Sequence, residues 1–304
     1  MTLEQPVFDP LRPNLIGLAR YFRTANERHA IYLRRKAGKS PPWTKDPIFR
    51  QNKFCNVYRE LDRVTVWIRE NWREPYADHP NLPFAMALAR LINWPDSLAE
   101  IGFPKRWKPK RVYDVLMARK ERGEKVFTDA YLLGSIPLGM PRAEYFVHHV
   151  LTPLYENPIE IPEGASLRDT WERLWKFKGI GPFLAYEIVT DLRHTKYLCN
   201  ATDIMVWANP GPGCIRGLCR LYGMPIKGTK RKDHWHVSMP DAKNAMRHLL
   251  RLSEQKLGSD MPPWEMRDVE HWLCEYDKYC RVMEGGRGKK FEPNSARGRQ
   301  GRLF

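Results

Sequence analysis

A mostly α-helical, two-lobed fold is predicted from three features of the 304 residues. Apolar residues recur at helical spacing, as Val57, Leu61, Val64 and Ile68 do at i, i+4, i+7 and i+11. Few stretches alternate apolar and polar residues as a half-buried strand requires, and no repeat is visible. A tight glycine turn, Lys178-Gly-Ile-Gly-Pro-Phe183, also separates two apolar segments of helical character.

Taken in order, residues 1–14 are polar and proline-broken, an arm rather than a folded element. An amphipathic helix is expected over residues 15–35, ending in the basic group Arg34, Arg35 and Lys36. Prolines 41, 42 and 47 bound a rigid loop, because each fixes its own φ and excludes helix before it. Residues 56–68 read as the clearest helix of the first half. Helices are expected over 83–102 and 110–122, separated by the basic segment Pro104-Lys-Arg-Trp-Lys-Pro-Lys-Arg111. Further helices fit 142–155, 167–175, 183–189 and 268–281. The helical body spans 15–284, with lobes roughly at 15–160 and 161–284. Residues 285–304, rich in Gly and Arg and poor in apolar side chains, make a flexible basic tail.

At the central turn, Leu174, Trp175 and Phe177 read as the buried end of the incoming helix. Glycine suits both outer positions of Gly179-Ile180-Gly181 because it reaches positive φ without a Cβ clash. It also leaves the turn amides open to a phosphate at the start of the next helix. An ordinary αα-turn is the plainer reading. The bulky residue between the glycines and the long helix beyond favour a helix-hairpin-helix, with Lys178, Gly179 and Gly181 on a DNA backbone.

Composition points the same way. With 51 basic against 35 acidic residues, the net charge is +16, which favours a polyanionic partner. No apolar run approaches the roughly 18 residues of a membrane helix, and the start lacks a signal-peptide core, so a cytoplasmic address without membrane contact is expected. The six cysteines have neither CxxC pairs nor cluster spacing, so they are expected reduced, with no cofactor and no metal. The basic loop Lys227-Gly-Thr-Lys-Arg-Lys-Asp-His-Trp-His236 adds Lys230, Arg231 and Lys232 as DNA contacts, with solvated charge as the plainer account.

Four groups are candidates for chemistry. Asp203 lies 24 positions after Gly179, at an expected helix start, where it is either an N-cap or a catalytic carboxylate. Asn56, Arg59, Glu60 and Arg63 lie along one face of the expected 56–68 helix, a solvated charged face in the plainer account, and the trio Arg59, Asp62 and Arg63 could clamp a phosphate. Arg216 follows the Pro/Gly loop Asn209-Pro-Gly-Pro-Gly213, whose helix-start amides suit a pyrophosphate. Glu270, Cys274 and Lys278 form an i, i+4, i+8 line, either surface pairing or a base with an anion clamp.

Together these motifs resemble the α-glutamyl/putrescinyl thymine pyrophosphorylase family. The resemblance rests on Phe54-Cys-Asn-Val-Tyr-Arg-Glu-Leu-Asp-Arg-Val-Thr65, the glycine hairpin, Gly211-Pro-Gly-Cys-Ile-Arg-Gly-Leu218 and Val269-Glu-His-Trp-Leu-Cys-Glu-Tyr-Asp-Lys-Tyr279. That family includes phage amino acid:DNA transferases and is related to the helical domain of 5-hydroxymethyluracil DNA kinases. The resemblance implies a bilobal, DNA glycosylase-like helix-hairpin-helix fold working in an infected bacterial host. It further implies displacement of pyrophosphate from 5-pyrophosphoryloxymethyluracil in double-stranded DNA by an amine, a free amino acid (glycine favoured) or a polyamine. Asp203 or Glu270 would be the base. Asn56, Arg59, Asp62, Arg63, Arg216 and Lys278 would hold substrate and pyrophosphate. The chain has no Gly-x-x-x-x-Gly-Lys-Ser/Thr, which argues against a kinase role. A monofunctional glycosylase using Asp203 on a sugar oxocarbenium, and a noncatalytic DNA-binding module, are the alternatives.

Overall fold

The computed structural model describes residues 8–129, 136, 139–226 and 237–291. In chain order the helices are α1 (Leu15–Lys36), α2 (Pro47–Gln51), α3 (Arg63–Ile68), α4 (Leu82–Ile92), α5 (Pro95–Ile101) and α6 (Pro109–Glu121). They continue with α7 (Arg142–Glu144), α8 (Thr152–Glu156), α9 (Leu167–Trp175), α10 (Pro182–Leu192), α11 (Pro212–Tyr222), α12 (Met239–Lys256) and α13 (Met266–Met283). Among the described residues no strand forms; Asn52 and Lys290 make an isolated antiparallel bridge. The mostly helical expectation holds. The backbone divides into two compact units, Met1–Arg63 with Met205–Phe304, and Val64–Ile204.

In the first unit α11 lies along α13. The approach is so close that a Cβ on Gly217 would stand 2.2 Å from the Leu273 carbonyl oxygen, so only glycine fits there. A Cβ on Gly213 would meet Cys274 Sγ at 3.1 Å. Gly213, read from sequence as part of a phosphate cradle, serves helix packing together with Gly217. The core is aromatic, and its polar edges find backbone partners. Trp272 Nε1 donates to the Tyr21 carbonyl at 3.1 Å, and the Tyr276 hydroxyl donates to the Gly17 carbonyl at 3.1 Å. A reciprocal capping box, Glu265 with Asp268, starts α13.

In the second unit α4 is buried nearly all round and packs on α10. Arg90 and Asp191, each 1% exposed, meet through two bonds of 2.5 Å. Thr65 Oγ1 and Asn93 Oδ1 accept further guanidinium protons at 3.1 and 3.2 Å. A buried charge pair needs this kind of completed shell to survive desolvation.

Several element boundaries differ from expectation, each for a local reason. Residues 56–58 are not helical. The Asn56 amide donates to Asp62 Oδ1 at 2.9 Å and its side chain to the Leu61 carbonyl at 2.6 Å, closing a loop. Helix resumes as a 3-10 turn, Arg59–Leu61, then α3, which widens into a π-turn at Arg69–Arg73. The expected 83–102 helix breaks at Asn93, which is left-handed at φ 48°, and restarts at Pro95. The expected 142–155 helix holds a π-segment, Tyr145–Leu151, ahead of Pro153, which has no amide to donate into the preceding turn.

The glycine turn joins α9 to α10 as expected, but its two glycines differ. Gly179 has φ 88°, and a Cβ there would lie 2.4 Å from a Val150 methyl. Gly181 has φ −75° and open space around it, so the positive-φ argument fails for it; it is the N-cap of α10. Trp175, expected buried, is 50% exposed, as Phe183 is at 47%. Lys178 is exposed beside them.

Candidate functional site: a polar cluster facing α13

Within the first unit, the loop of residues 54–62 meets the middle of α13. The Cys55 amide donates to Glu275 Oε2 at 2.9 Å, tying the loop to the helix. His271 Nε2 lies 3.1 Å from the Asn56 carbonyl oxygen and 3.9 Å from Asp62 Oδ2. A ring nitrogen facing a carbonyl carries the proton, so His271 donates here. Lys278 Nζ binds Glu275 Oε2 at 3.1 Å and sits 4.7 Å from the Phe54 ring centroid. Ligand atoms of Cys55, Asp62 and His271 lie within 4.8 Å of one another, close enough for a metal. The Asn56 carbonyl engages one His271 ring nitrogen beside them.

Asp62 is the electrostatic centre of the cluster. Withdrawal from water pushes its carboxyl up to about 6, against the pull of the Asn56 amide and the charges of Arg59 and Arg28. Its side chain keeps 27% of its surface open. A carboxyl that titrates near neutral pH and remains accessible suits proton transfer.

The other candidates are placed as follows. Asn56, Arg59 and Asp62 come together, with Asn56 acting through its backbone and Asp62 accepting from it; Arg63 lies one residue further on. Glu270 is 6% exposed, holds Arg267 Nη1 at 3.2 Å and accepts from Cys274 Sγ at 3.6 Å. Arg216 lies beyond the first turn of α11, and its Nε donates to Asp277 Oδ2 at 2.8 Å. Arg220 takes the other Asp277 oxygen at 2.8 Å. Asp203 belongs to the second unit and sits in a turn rather than at a helix start. Its two oxygens accept the Leu167 and Arg168 amides at 2.7 and 3.0 Å, capping α9. Lys178, Gly179 and Gly181 also belong to the second unit. Lys230, Arg231 and Lys232 lie outside the described residues. Sequence reasoning missed His271, Glu275 and Asp277. All three stand on the α13 segment already singled out, beside the residues chosen from it.

Comparison with known proteins decides the relationship. The family described as "5-hmdU DNA kinase, helical domain" matches residues 16–287. The chain belongs to this family. A relative, the 5-hmdU DNA kinase of Bacillus phage SP10, is 29% identical over 295 residues, covering 88% of this chain and 45% of its own. The chain thus spans less than half of that relative. No solved structure matches.

Membership in the 5-hmdU DNA kinase helical-domain family corrects the reaction expected from sequence. The relative is a kinase, an enzyme that adds a phosphoryl group, not one that displaces pyrophosphate with an amine. The amino acid or polyamine partner falls with that expectation, and the glycosylase alternative gains no support. The missing P-loop pattern, read as arguing against a kinase, does not separate the cases when the match is to a helical domain alone. Among the described residues no helix is long and apolar enough to cross a membrane.

Proposed function

We propose that this chain is the acceptor-side module of a DNA base kinase. It engages duplex DNA, receives 5-hydroxymethyluracil and positions the hydroxymethyl oxygen for phosphorylation. The family match, the kinase relative and the +16 charge support the class of reaction and partner. The observation that carries the reading is Asp62, a part-exposed carboxyl held near neutral pKa among cationic and donor groups. The hydroxymethyl oxygen forms a bond to phosphorus while the bond from phosphorus to the donor's leaving oxygen breaks. The hydroxyl proton passes to the Asp62 carboxylate, the part an aspartate plays in phosphoryl transfer to alcohols. Arg59 and Arg63 face the charge on the transferred group. Lys178 and the Gly179–Gly181 turn, flanked by exposed Trp175 and Phe183, hold the DNA backbone in helix-hairpin-helix fashion.

The test is competition binding of duplexes differing only in one thymine or 5-hydroxymethyluracil. A hydrogen bond to a charged group is worth about 1.5–3 kcal/mol, so the modified duplex should bind at least about tenfold tighter above pH 6. Asp62→Ala should erase that preference while thymine-duplex affinity stays. Equal affinity of wild type for both duplexes would remove the acceptor role.

A further inference from the structure

Within the first unit a cavity of about 510 Å³ lies between α1, the loop after it and residues 49–54, with Phe291 at its edge. Its wall is fixed by backbone pairing. The Lys53 amide donates to the Lys289 carbonyl at 2.7 Å and the Phe291 amide to the Gln51 carbonyl at 2.9 Å. Its size falls within the range of about 300–1,000 Å³ common for small-ligand sites.

The lining has an unbalanced charge. Arg28, Arg35, Arg50 and Lys53 face it, and among the described lining residues there is no carboxylate. Arg35, Arg50 and Lys53 are exposed, whereas Arg28 is only 6% exposed. Arg28 Nη2 donates to the Phe54 carbonyl at 3.3 Å, but the buried Nη1 has no hydrogen-bond partner. Burial lowers its pKa, and the carboxylates of Asp62 and Glu275 act on it only through space. A buried guanidinium with an idle nitrogen costs free energy that an arriving anion would offset.

The same cavity offers aromatic faces. Trp43 and Phe291 stand with ring centroids 6.2 Å apart, tilted by 57°. The Arg35 guanidinium lies 5.1 Å from the Trp43 ring and 5.9 Å from the Phe291 ring. Such faces take a planar heterocycle, and neighbouring arginines add cation–π attraction.

We infer that this cavity is a nucleoside phosphate site, with the base against Trp43 and Phe291 and the phosphate on Arg28, Arg50 and Lys53. Neither half of the lining suffices alone: the cations call for an anion, and the rings call for a flat apolar group joined to it. The inference goes beyond the acceptor reading and does not depend on Asp62. The nucleotide comes either from solution, as a free nucleoside triphosphate, or from a DNA strand, as one residue of it.

Calorimetric titration of the full chain with thymidine 5′-monophosphate, thymidine and inorganic phosphate tests the composite site. The monophosphate should bind at least about tenfold tighter than either part, the equivalent of one hydrogen bond to a charged group. Trp43→Ala and Arg28→Met should each lose most of that gain. Ligand-free Arg28→Met should melt no lower than wild type, since it removes an unsatisfied buried charge. If Arg28→Met fails to fold, the exposed pair Arg50→Ala/Lys53→Ala replaces it and should weaken the monophosphate by a similar factor. Titration with ATP and with a (dT)8 strand identifies the source. Tight ATP binding displaced by the monophosphate indicates a free nucleotide, and strand binding displaced by it indicates a DNA residue. Equal affinity for thymidine and its monophosphate, or unchanged affinity in Trp43→Ala and the cation variants, overturns the inference.

Discussion

Asp62→Asn isolates the cost of a charge held in the polar cluster. The folded protein raises this carboxyl from the ordinary 3.8 to about 6, chiefly by burial. Its neutral form is therefore favoured in the native state. The resulting stability is fully present below pH 4 and is lost as pH rises through about 6. Two pKa units correspond to about 3 kcal/mol, and partial exposure with structural relaxation reduces that to about 1–3 kcal/mol. Asparagine is uncharged throughout and keeps an acceptor oxygen for the Asn56 amide. Relative to wild type, the variant should gain about 1–3 kcal/mol between pH 4 and pH 7, half of it by about pH 5 and nearly all of it once the folded carboxyl has titrated. Urea unfolding of both proteins across that range measures the difference. Asp268, pushed up to about 7 by burial, titrates in both proteins and cancels. A difference that stays constant from pH 4 to pH 7 would refute the assigned electrostatics of Asp62.

Other consequences are equally open to measurement. Asp191→Ala leaves Arg90 charged and buried, so unfolding free energy should fall by about 3–5 kcal/mol; a loss below about 1 kcal/mol would contradict the role given to that pair. Gly179→Ala should lower the melting temperature markedly because of its positive φ and the Val150 contact, whereas Gly181→Ala should be nearly neutral; equal effects would count against the turn geometry. DNA affinity should fall with salt at a log–log slope of about −0.9 per neutralised phosphate, and a flat profile in fluorescence anisotropy would speak against backbone binding.

Much of the helical body was legible because its cause is local. The apolar spacing in residues 167–175 and 268–281 survives into α9 and α13, give or take two residues. Legibility failed where a distant partner or a side chain took over the backbone. Asn56 and Asp62 fold the start of an expected helix into a loop, and Asp203 caps a helix 36 residues earlier rather than starting one of its own. Gly213 looked like a ligand-binding glycine because sequence cannot tell close approach to a phosphate from close approach to another helix. Arg216 looked available because its partner, Asp277, is 61 residues away. The aromatic cation cavity escaped notice for a similar reason: Phe291 reaches Trp43 from the far end of the described chain.

Chain connectivity also bears on synthesis. The unit Val64–Ile204 is contiguous, so its whole core is available once residue 204 has been made. The other unit is split between the two ends, and Tyr21 and Phe22 of α1 find Trp264 and Tyr276 only some 250 residues later. Until then Tyr21 and Phe22 lack these rings, and the nascent chain carries part of an apolar helix face uncovered while the residues between are made. Such long-range closure is slow and exposes sticky surface. Truncation before residue 266 would therefore cost far more than the missing segment: it would strand the N-terminal helix while leaving the inserted unit able to fold.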